Sequence, residues 1–361
     1  MPIQTPLREL HESAGATFAE YFGCALPSRF TDSREEYSYA RQTAAVADKN
    51  HRAFFNFTGP DRVRYLNAIL TNNIRDLQSG QGIPSLLLNP QGHILAVLDT
   101  YAMADRLLVV TDAMIRERTA ATLDKFIIMD DVVMEDVTEQ FGVVSVEGPE
   151  TSKVISALGT PALDLIPELG HTETEVAGIS CRMVRRSPGG VAGAEFIALR
   201  ESLPKLWEAL VGAARANGGG PIGYDALSTL RLEAGIPWFG YDFDETTIPH
   251  EAGLEDSHIS YTKGCYTGQE IVERVRSRGH VNRRRVGVAF AGNTVPAAKT
   301  PLSSGAAEVG YVTRAAFSYA LERPIGMAYL RREHNAVGSR LTCAASDAEV
   351  IALPIGSRRR A

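Results

Sequence analysis

The stretch PSLLLNPQGHILAVLDTYAMADRLLVVTD, residues 84–112, indicates the class of fold to which this chain belongs. It contains three apolar runs of strand length. The turn residues 89–92 separate the first two runs, and Ala104 and Asp105 separate the last two. Short connections of this kind join antiparallel strands, whereas parallel strands need crossovers of about a dozen residues or more. The stretch therefore predicts a meander of three antiparallel strands.

The segments before the meander combine strands with helices. Residues 53–57 alternate between the two faces of a predicted strand, Thr58 and Gly59 then turn the chain, and a helix follows from Pro60. Residues 32–46 have helical spacing, with Asp32 or Ser33 in position to cap the first turn. Antiparallel strands mixed with helices predict an α+β fold and argue against a parallel doubly wound sheet.

The segments after the meander extend the same organisation. Residues 149–235 predict a second block of helices and short strands. From residue 284 the chain is rich in β-forming residues and glycine, which predicts a small barrel or sandwich. The basic residues at 356–361 predict a frayed tail.

The composition argues against several classes of protein. The chain has 361 residues and a formal net charge of -6, which argues against a general nucleic-acid or membrane-surface binder. It has no run of 18 apolar residues, so no membrane span is predicted. The cysteines are far apart and never form CxxC, which favours a cytoplasmic protein with reduced thiols and no metal site; they are Cys24, Cys181, Cys265 and Cys343.

The segment KGCYTGQE, residues 263–270, contains a candidate thiol. Its TGQE part fits a capping box and predicts a helix that begins at Thr267. Cys265 would then lie two residues before the N-cap, where the helix dipole and Lys263 favour a thiolate. The alternative, that Cys265 is a small buried apolar residue, has equal weight from spacing alone. Hydrolysis is not expected, since no Cys-His-Asn arrangement can be recognised.

A run of arginines follows the same segment. Guanidinium groups bind phosphates and carboxylates, so the run could hold a polyanion. We favour the other interpretation, a solvated surface whose arginines pair with nearby acids. The run comprises Arg274, Arg276, Arg278, Arg283, Arg284 and Arg285.

Two further stretches predict ligand-binding positions. Glu195 follows the glycines of RRSPGGVAGAEF, and a carboxylate there could accept paired N–H donors from a flat heterocycle. In RLEAGIPWFGYDFDE, residues 231–245, Arg231 precedes Trp238 and other aromatic residues, which suggests a flat pocket that tolerates an anion. The alternatives are an exposed strand residue for Glu195 and an aromatic core cluster for the second stretch.

Several stretches together resemble one family. They are VADKNHRAFFNFTGPDRVRYLNAILTNNIRDLQSGQG, LLLNPQGHIL, GGVAGAEF, LRLEAGIPWFGYDFDETTIPHEAGL and KGCYTGQE, and GYVTRAAFSYALERPIGMAYL resembles the C-terminal barrel of the same family. In this order they look like the folate-binding superfamily of the glycine-cleavage T-protein. KGCYTGQE resembles its branch of tRNA-modifying YgfZ-like proteins, which includes iron–sulfur cluster assembly factors.

The resemblance implies three domains around a central folate channel. Residues 1–50 and 140–240 would form the first α+β domain, and residues 51–139 and 241–282 the second. Residues 283–361 would form the C-terminal β-barrel.

The same resemblance implies a cofactor and its contacts. The cofactor would be tetrahydrofolate or a derivative, with Glu195 facing the pterin and Arg231 in the same pocket. Asn89, Tyr101 and Trp238 would lie on the pocket side. Cys265 would be the functional thiol, with Lys263 beside it, and no metal ligands are implied.

One position departs from the family pattern. The aminomethyltransferases carry an acidic pair after the glycine turn, and this chain has Ala96 and Val97 there. Asp99 would share the strand face of Val97 but lie about 6.6 Å further along. Because acid–base catalysis requires hydrogen-bond reach, we do not expect catalysis of the T-protein type.

Three functions remain open at this point. The first is a folate-binding accessory protein that supports iron–sulfur clusters in client or assembly proteins through Cys265. The second is a tetrahydrofolate-dependent aminomethyl- or methyltransferase in which Asp99 replaces the missing acid. The third is a binding module that docks RNA or a protein through its arginines, although the net charge disfavours direct nucleic-acid binding.

Overall fold

The computed structural model describes residues 1–187, 189–344 and 346–355, so the predicted basic tail at 356–361 lies outside the described residues. Its strands are β1 (Ile3–Gln4), β2 (Thr17–Tyr21), β3 (Cys24–Arg29), β4 (Ala45–Asp48), β5 (Arg52–Thr58), β6 (Gly82–Leu88), β7 (Ile94–Ala102), β8 (Leu107–Asp112), β9 (Val133–Asp136), β10 (Phe141–Glu147), β11 (His171–Val176), β12 (Ile179–Arg185), β13 (Gly193–Leu199), β14 (Gly220–Pro221), β15 (Arg283–Phe290), β16 (Pro301–Ser304), β17 (Ala307–Ser318), β18 (Arg323–Arg331), β19 (Arg340–Cys343) and β20 (Ser346–Ile351).

The α-helices connect these strands. They are α1 (Arg8–Ser13), α2 (Ser33–Gln42), α3 (Arg62–Ile69), α4 (Arg116–Asp124), α5 (Thr151–Ser156), α6 (Leu203–Ala216), α7 (Tyr224–Ala234), α8 (Pro249–Ala252), α9 (Glu255–His258) and α10 (Gln269–Arg278).

The chain folds into two compact units. The first unit consists of Met1–Leu87, Ala96–Leu227 and Ser260–Tyr266. The second consists of Leu88–Leu95, Ser228–Ile259 and Thr267–Ala361, of which the structure describes residues up to 355. The three-domain division and the central channel stay predictions.

The predicted meander is part of a five-stranded sheet with the order β6-β7-β8-β5-β9. Its first three strands follow one another along the chain, as the short turns require. The strand β5 pairs antiparallel with both β8 and β9, and α3 follows it after the turn at Gly59. The meander and the strand-turn-helix unit are both confirmed.

A six-stranded sheet and a three-stranded sheet complete the β structure of the first unit. The six-stranded sheet has the order β11-β12-β13-β10-β4-β14, and the small sheet has the order β1-β3-β2. The helix α6 packs its apolar face, which includes Leu206 and Leu210, against the six-stranded sheet in a common core with Val144 and Phe196. The helix α2 begins after Asp32, whose side chain accepts hydrogen bonds from the N–H groups of Arg34 and Glu35, as predicted.

A second core lies between the five- and six-stranded sheets. Side chains alternate between the faces of a strand, so residues two apart point to the same side. One face of each sheet contributes buried residues to this shared core, which includes Phe54, Tyr101, Val110, Val143, Val184 and Ile197. The two sheets therefore form a sandwich in the first unit.

The strands β15 to β20 form a closed barrel in the second unit, with the order β15-β18-β17-β16-β19-β20. Residues such as Val288, Leu302 and Leu330 fill its interior. The predicted barrel is confirmed, and with the mixed sheets it establishes the α+β class.

The predicted start of the helix after KGCYTGQE is wrong. The helix α10 begins at Gln269 and its N-cap is Gly268, with no hydrogen bond from a capping side chain. Gly268 has φ 82°, and a Cβ atom there would lie 2.6 Å from the carbonyl oxygen of Asn89. Only glycine combines that φ with such a close approach at little cost, which is why the cap is not the threonine.

Among the residues that the structure describes, no helix is long and apolar enough to cross a membrane. A cytoplasmic location stays a prediction.

Candidate functional site

A group of buried and partly buried charges lies on the inner faces of the sandwich in the first unit. Each charged residue stands two positions from a residue of the apolar core, so alternation directs it to the same side. We call this group the acid–arginine cluster; it consists of Arg52, Asp99, Asp112, Arg186 and Glu195.

Two arginines hold the carboxylates of the cluster together. Arg52 binds Asp99 at 2.6 Å and Asp112 at 3.4 Å. Arg186 donates to Asp99, and its Nε lies 3.5 Å from Oε1 of Glu195. Asp99, predicted to be displaced from the acidic positions of the family, thus shares an arginine with the predicted pterin residue Glu195.

Burial and neighbouring charge shift the titration of the cluster. Burial opposes the charge on Arg186, but Asp99 and Glu195 outweigh it and hold the pKa of Arg186 well above its usual range. Burial raises the pKa of Asp112, and the two arginines only partly offset this effect. The arginines therefore remain charged throughout the physiological range, as a permanent partner for the carboxylates.

His51 lies beside Asp112 of the cluster and forms a hydrogen bond with Tyr224. Nε2 of His51 lies 3.6 Å from Asp112, and its Nδ1 lies 2.8 Å from the hydroxyl of Tyr224. Burial lowers the pKa of His51 well below its usual value, with Arg52 and Lys49 acting in the same direction. His51 is therefore neutral and adds no charge beside Asp112.

The cluster retains hydrogen-bonding capacity for a ligand. The Nε of Arg52 is buried and has no hydrogen-bond partner, and a buried donor of this kind costs free energy until an acceptor reaches it. Glu195, which is 4% exposed, offers a carboxylate that can accept two N–H groups from a heterocycle. An amide-containing ring such as a pterin has both kinds of group, so these residues fit it chemically.

The predicted pocket residues on the meander have different surroundings. Tyr101 is buried beside the cluster, and Gly82 makes room for its ring, since a Cβ there would lie 2.6 Å from Cδ1 of Tyr101. Burial raises the pKa of Tyr101, so its hydroxyl stays protonated. Ala96 is buried and Val97 is partly exposed; neither side chain can transfer a proton.

Asn89 organises the turn between β6 and β7. Its Oδ1 accepts hydrogen bonds of 3.0 Å from the N–H groups of Gln91 and His93. This is the typical role of asparagine in a tight turn. Its predicted contact with a ligand stays a prediction.

Arg231 and Trp238 come together in the second unit. Arg231 is fully buried; it donates to Asp242, and its guanidinium carbon lies 4.4 Å from the centre of the Trp238 ring. Its Nε and Nη2 have no hydrogen-bond partner. Burial lowers the pKa of Arg231, and Asp242 opposes this shift. The two unmatched donors could bind a carbonyl or carboxylate oxygen.

Cys265 is exposed, whereas Cys24, Cys181 and Cys343 are buried. Burial raises the pKa of Cys24 to about 12 and that of Cys181 to about 11, so both remain protonated and unreactive. Of the four thiols, only Cys265 is accessible to a partner.

Lys263 lies two residues before this thiol but points into the protein. Its ammonium group binds the carbonyl oxygens of Asn67, Leu70 and Asn72. Burial lowers the pKa of Lys263 to about 8, and Arg75 acts in the same direction. Its predicted role in chemistry at Cys265 stays a prediction.

Four of the six arginines of the run pair with nearby acids, as the favoured interpretation proposed. Arg283 forms two hydrogen bonds with Glu251, Arg284 pairs with Glu255, and Arg285 donates to the carbonyl oxygens of Ala252 and Gly235. On α10, Arg274 and Arg276 pair with glutamates of the same helix. Most of this charge is locally compensated, which weakens the case for a polyanion site.

Sequence reasoning missed Arg52, Asp112, Arg186 and His51. Arg186 belongs to the stretch that contains Glu195, two residues after the inward-facing Val184. A charged residue that keeps the alternation of an apolar strand face was the available signal. The same alternation applies to Arg52 and Asp112, which lie directly opposite each other in the strand pairing, whereas His51 precedes β5 and carried no such signal.

Comparisons with known proteins agree with this architecture. Residues 7–258 match the GCVT N-terminal domain, and residues 283–355 match the glycine cleavage T-protein C-terminal barrel domain. The chain is 30% identical over 367 residues to an aminomethyltransferase of Streptomyces avermitilis, covering 99% of each protein. It is 29% identical over 363 residues to an aminomethyltransferase of Saccharopolyspora erythraea, again covering 99% of each.

A solved structure has the same fold. It is the crystal structure of the glycine cleavage system aminomethyltransferase T from Bartonella henselae, with a TM-score of 0.89, 24% identity and coverage of 98% of each chain. Enzymes of this family bind tetrahydrofolate. The relatives named here are aminomethyltransferases, and the narrower resemblance to the YgfZ branch stays a prediction. The chain belongs to the folate-binding family of the glycine cleavage T-protein.

Proposed function

We propose that this protein binds a tetrahydrofolate at the acid–arginine cluster and transfers an aminomethyl or methyl group to or from it. The observation that carries this proposal is the arginine shared by Asp99 and Glu195. It keeps a carboxylate next to the residue that the family resemblance assigns to the pterin. The likeness to aminomethyltransferases over almost the whole chain supports the same class of reaction.

Each residue of the cluster has a distinct part in this proposal. Glu195 accepts the N–H donors of the pterin, and the free Nε of Arg52 is available to the carbonyl oxygen of the pterin. The folate supplies the nitrogen atoms that carry the one-carbon group. Asp99 is the carboxylate available to interact with the donor amine, because Ala96 and Val97 have no group that can do so. Arg52 and Arg186 compensate its charge and fix its position.

Titration with reduced folates tests the binding step. We expect wild type to bind and Glu195→Ala to bind about 10- to 100-fold more weakly, because hydrogen bonds to a charged group contribute about 1.5–3 kcal/mol. Glu175→Ala is the matched control, since it removes an exposed glutamate from the same sheet. Calorimetry would measure all three affinities. Failure of the wild type to bind any reduced folate would remove the proposal.

Turnover tests the transfer step separately. Wild type should form methylene-folate from an aminomethyl donor, with release of ammonia, or methyl-folate from a methylamine donor, with release of the demethylated amine. Asp99→Asn should bind folate but give no product. Chromatographic detection of the folate product is the measurement. Full turnover by Asp99→Asn, or absence of product with every donor despite folate binding, would reject the transferase role.

A second candidate function rests on the thiol. Cys265 is exposed while the other cysteines are buried, and KGCYTGQE is the segment that resembles YgfZ-like iron–sulfur factors. In this proposal the folate-bound protein supports iron–sulfur clusters in client or assembly proteins, and any effect on tRNA modification is indirect.

Complementation distinguishes the two candidates. Deletion of the gene should lower the activity of iron–sulfur enzymes, and wild type should restore it while Cys265→Ser should not. Asp99→Asn should restore this activity if transfer is not needed for it. Equal rescue by Cys265→Ser would eliminate the thiol function and leave the transferase proposal untouched.

A further inference from the structure

The segment Ser260–Tyr266 is held at several points to the first unit. The N–H group of Ser260 donates to the carbonyl oxygen of Thr71 at 3.0 Å. Lys263 and Tyr266 are both 7% exposed, whereas Gly264 and Cys265 between them are exposed. Two buried side chains thus flank a two-residue projection that contains the thiol.

The three donors of the Lys263 ammonium meet three acceptors. Its Nζ binds the carbonyl oxygens of Asn67 and Leu70, and that of Asn72 at 3.0 Å. Asn67 lies in the last turn of α3, and Leu70 is the residue that caps its C-terminal end. Carbonyl groups there have no partner within the helix and carry the negative end of its dipole. An ammonium group is the side chain that matches this arrangement in number and in charge.

The ammonium group of Lys263 remains charged near neutral pH, and it also contacts the ring of Tyr266. Because its pKa is lowered by burial only to about 8, Lys263 is mainly protonated at pH 7. Its Nζ lies 5.2 Å from the centre of the Tyr266 ring, within the range of a cation–π interaction. The side chains of Lys263 and Tyr266 therefore stabilise each other as well as the segment Ser260–Tyr266.

Hydrogen bonds also fix the end of α3 and the segment after it, where the acceptors of Lys263 lie. Oδ1 of Asn67 accepts hydrogen bonds from the N–H groups of Ile74 and Arg75 at 3.0 and 3.3 Å. The hydroxyl of Thr71 accepts from the N–H of Leu86 at 2.8 Å, on the strand β6. The carbonyl oxygens that bind Lys263 thus belong to the end of α3 and to the hydrogen-bonded segment that follows it.

We propose that Lys263 is a positioning residue: by binding the carbonyl end of α3 it holds Cys265 in one exposed conformation. The proposal rests on the thiol function suggested above for its biological use, but it concerns the order of the segment and can be measured without that function. It assigns Lys263 no proton transfer to or from the thiol.

A spin label on Cys265 tests the proposal. The other cysteines are buried, so a nitroxide reagent should modify Cys265, and Cys265→Ser should remain unlabelled. The wild-type spectrum should show restricted motion. Lys263→Met, which keeps an unbranched side chain one heavy atom shorter and removes every donor, should give severalfold faster motion at a temperature where the protein remains folded.

Two further variants make the outcome decisive. Gly264→Ala is the matched control, because its Cβ would meet nothing within 4 Å and its φ is not positive; it should keep the restricted spectrum. Lys263→Gln retains two neutral donors, should show intermediate motion, and replaces Lys263→Met if that variant does not fold. A restricted spectrum in either folded Lys263 variant would overturn the proposal.

Thermal unfolding distinguishes the positioning role of Lys263 from a purely stabilising role, and complementation distinguishes it from the thiol function of Cys265. A lower melting temperature with an unchanged spectrum would mean that Lys263 only stabilises the fold, which also overturns the positioning role. Rapid motion in Lys263→Met together with full rescue by Cys265→Ser would support the positioning role and reject the thiol function.

Discussion

Arg186 contacts two carboxylates of the acid–arginine cluster, Asp99 and Glu195. Replacement of Arg186 by methionine would remove the positive charge that Asp99 and Glu195 share and would leave the repulsion between these two buried carboxylates less compensated. We expect Arg186→Met to lower the free energy of unfolding by about 3 kcal/mol or more, as for other buried ion pairs from which one partner is removed. Urea denaturation would measure the change.

The control for this prediction is Arg106→Met. Arg106 pairs with Asp105, whose side chain is 72% exposed, and exposed pairs contribute about 0–1 kcal/mol. If both variants lose the same stability, the cluster is not the stabilising network that its geometry indicates.

Individual residues also show where sequence reasoning stops. Glu195 was predicted because glycines precede it, and the structure places it in a buried cluster. The surroundings of Lys263 could not be predicted, since its acceptors are backbone carbonyls almost two hundred positions earlier in the chain. No side-chain pattern in the sequence identifies a carbonyl oxygen as a ligand.

At the scale of elements, Gly268 and Gly279 at the two ends of α10 provide a matched pair. Both are in the left-handed region, with φ 82° and 77°. A Cβ at Gly268 would lie 2.6 Å from the carbonyl oxygen of Asn89, whereas one at Gly279 would meet nothing within 4 Å.

Alanine at each position should therefore have different effects. Gly279→Ala should cost about 1–2 kcal/mol for the left-handed conformation alone. Gly268→Ala should cost at least about 1 kcal/mol more, because the turn at Asn89 must shift. Thermal unfolding followed by circular dichroism would measure both, and equal losses would mean that the close approach is unimportant.

Elements with strong local signals were predictable and those set by tertiary contact were not. The meander and the cap at Asp32 follow from turn and capping residues within a few positions. TGQE has an equally clear capping pattern, yet Gly268 is the N-cap. The close approach of the Asn89 carbonyl favours Gly268 over Thr267 as the N-cap. That contact joins residues far apart in the chain, so it could not be predicted from the local pattern.

At the scale of the whole molecule, buried histidines make stability depend on pH. Burial and Arg182 lower the pKa of His171 from its ordinary value of 6.5 to about 4. The unfolded chain therefore takes up this proton first, and stability is lost as the pH falls from 6.5 toward 4. The loss from this group alone is at most about 3–4 kcal/mol.

His171→Gln tests this dependence because the glutamine oxygen can still accept from Arg182, which lies 2.8 Å from Nδ1 of the imidazole. The variant should lose less stability than wild type between pH 7 and pH 4.5. His280→Gln, at an exposed position, should follow the wild-type profile. Parallel profiles for wild type and His171→Gln would contradict the prediction.

The closed barrel limits how the second unit can meet other molecules. Along β15 the backbone pairs with β18 on one side and with β20 on the other, and the ring continues through β17, β16 and β19. Sheets with free edges can recruit an extended peptide by strand addition. A closed ring offers no such edge. A protein that binds this barrel must therefore contact its side chains and loops. The specificity of that binding would depend on individual barrel residues, and single substitutions could change it.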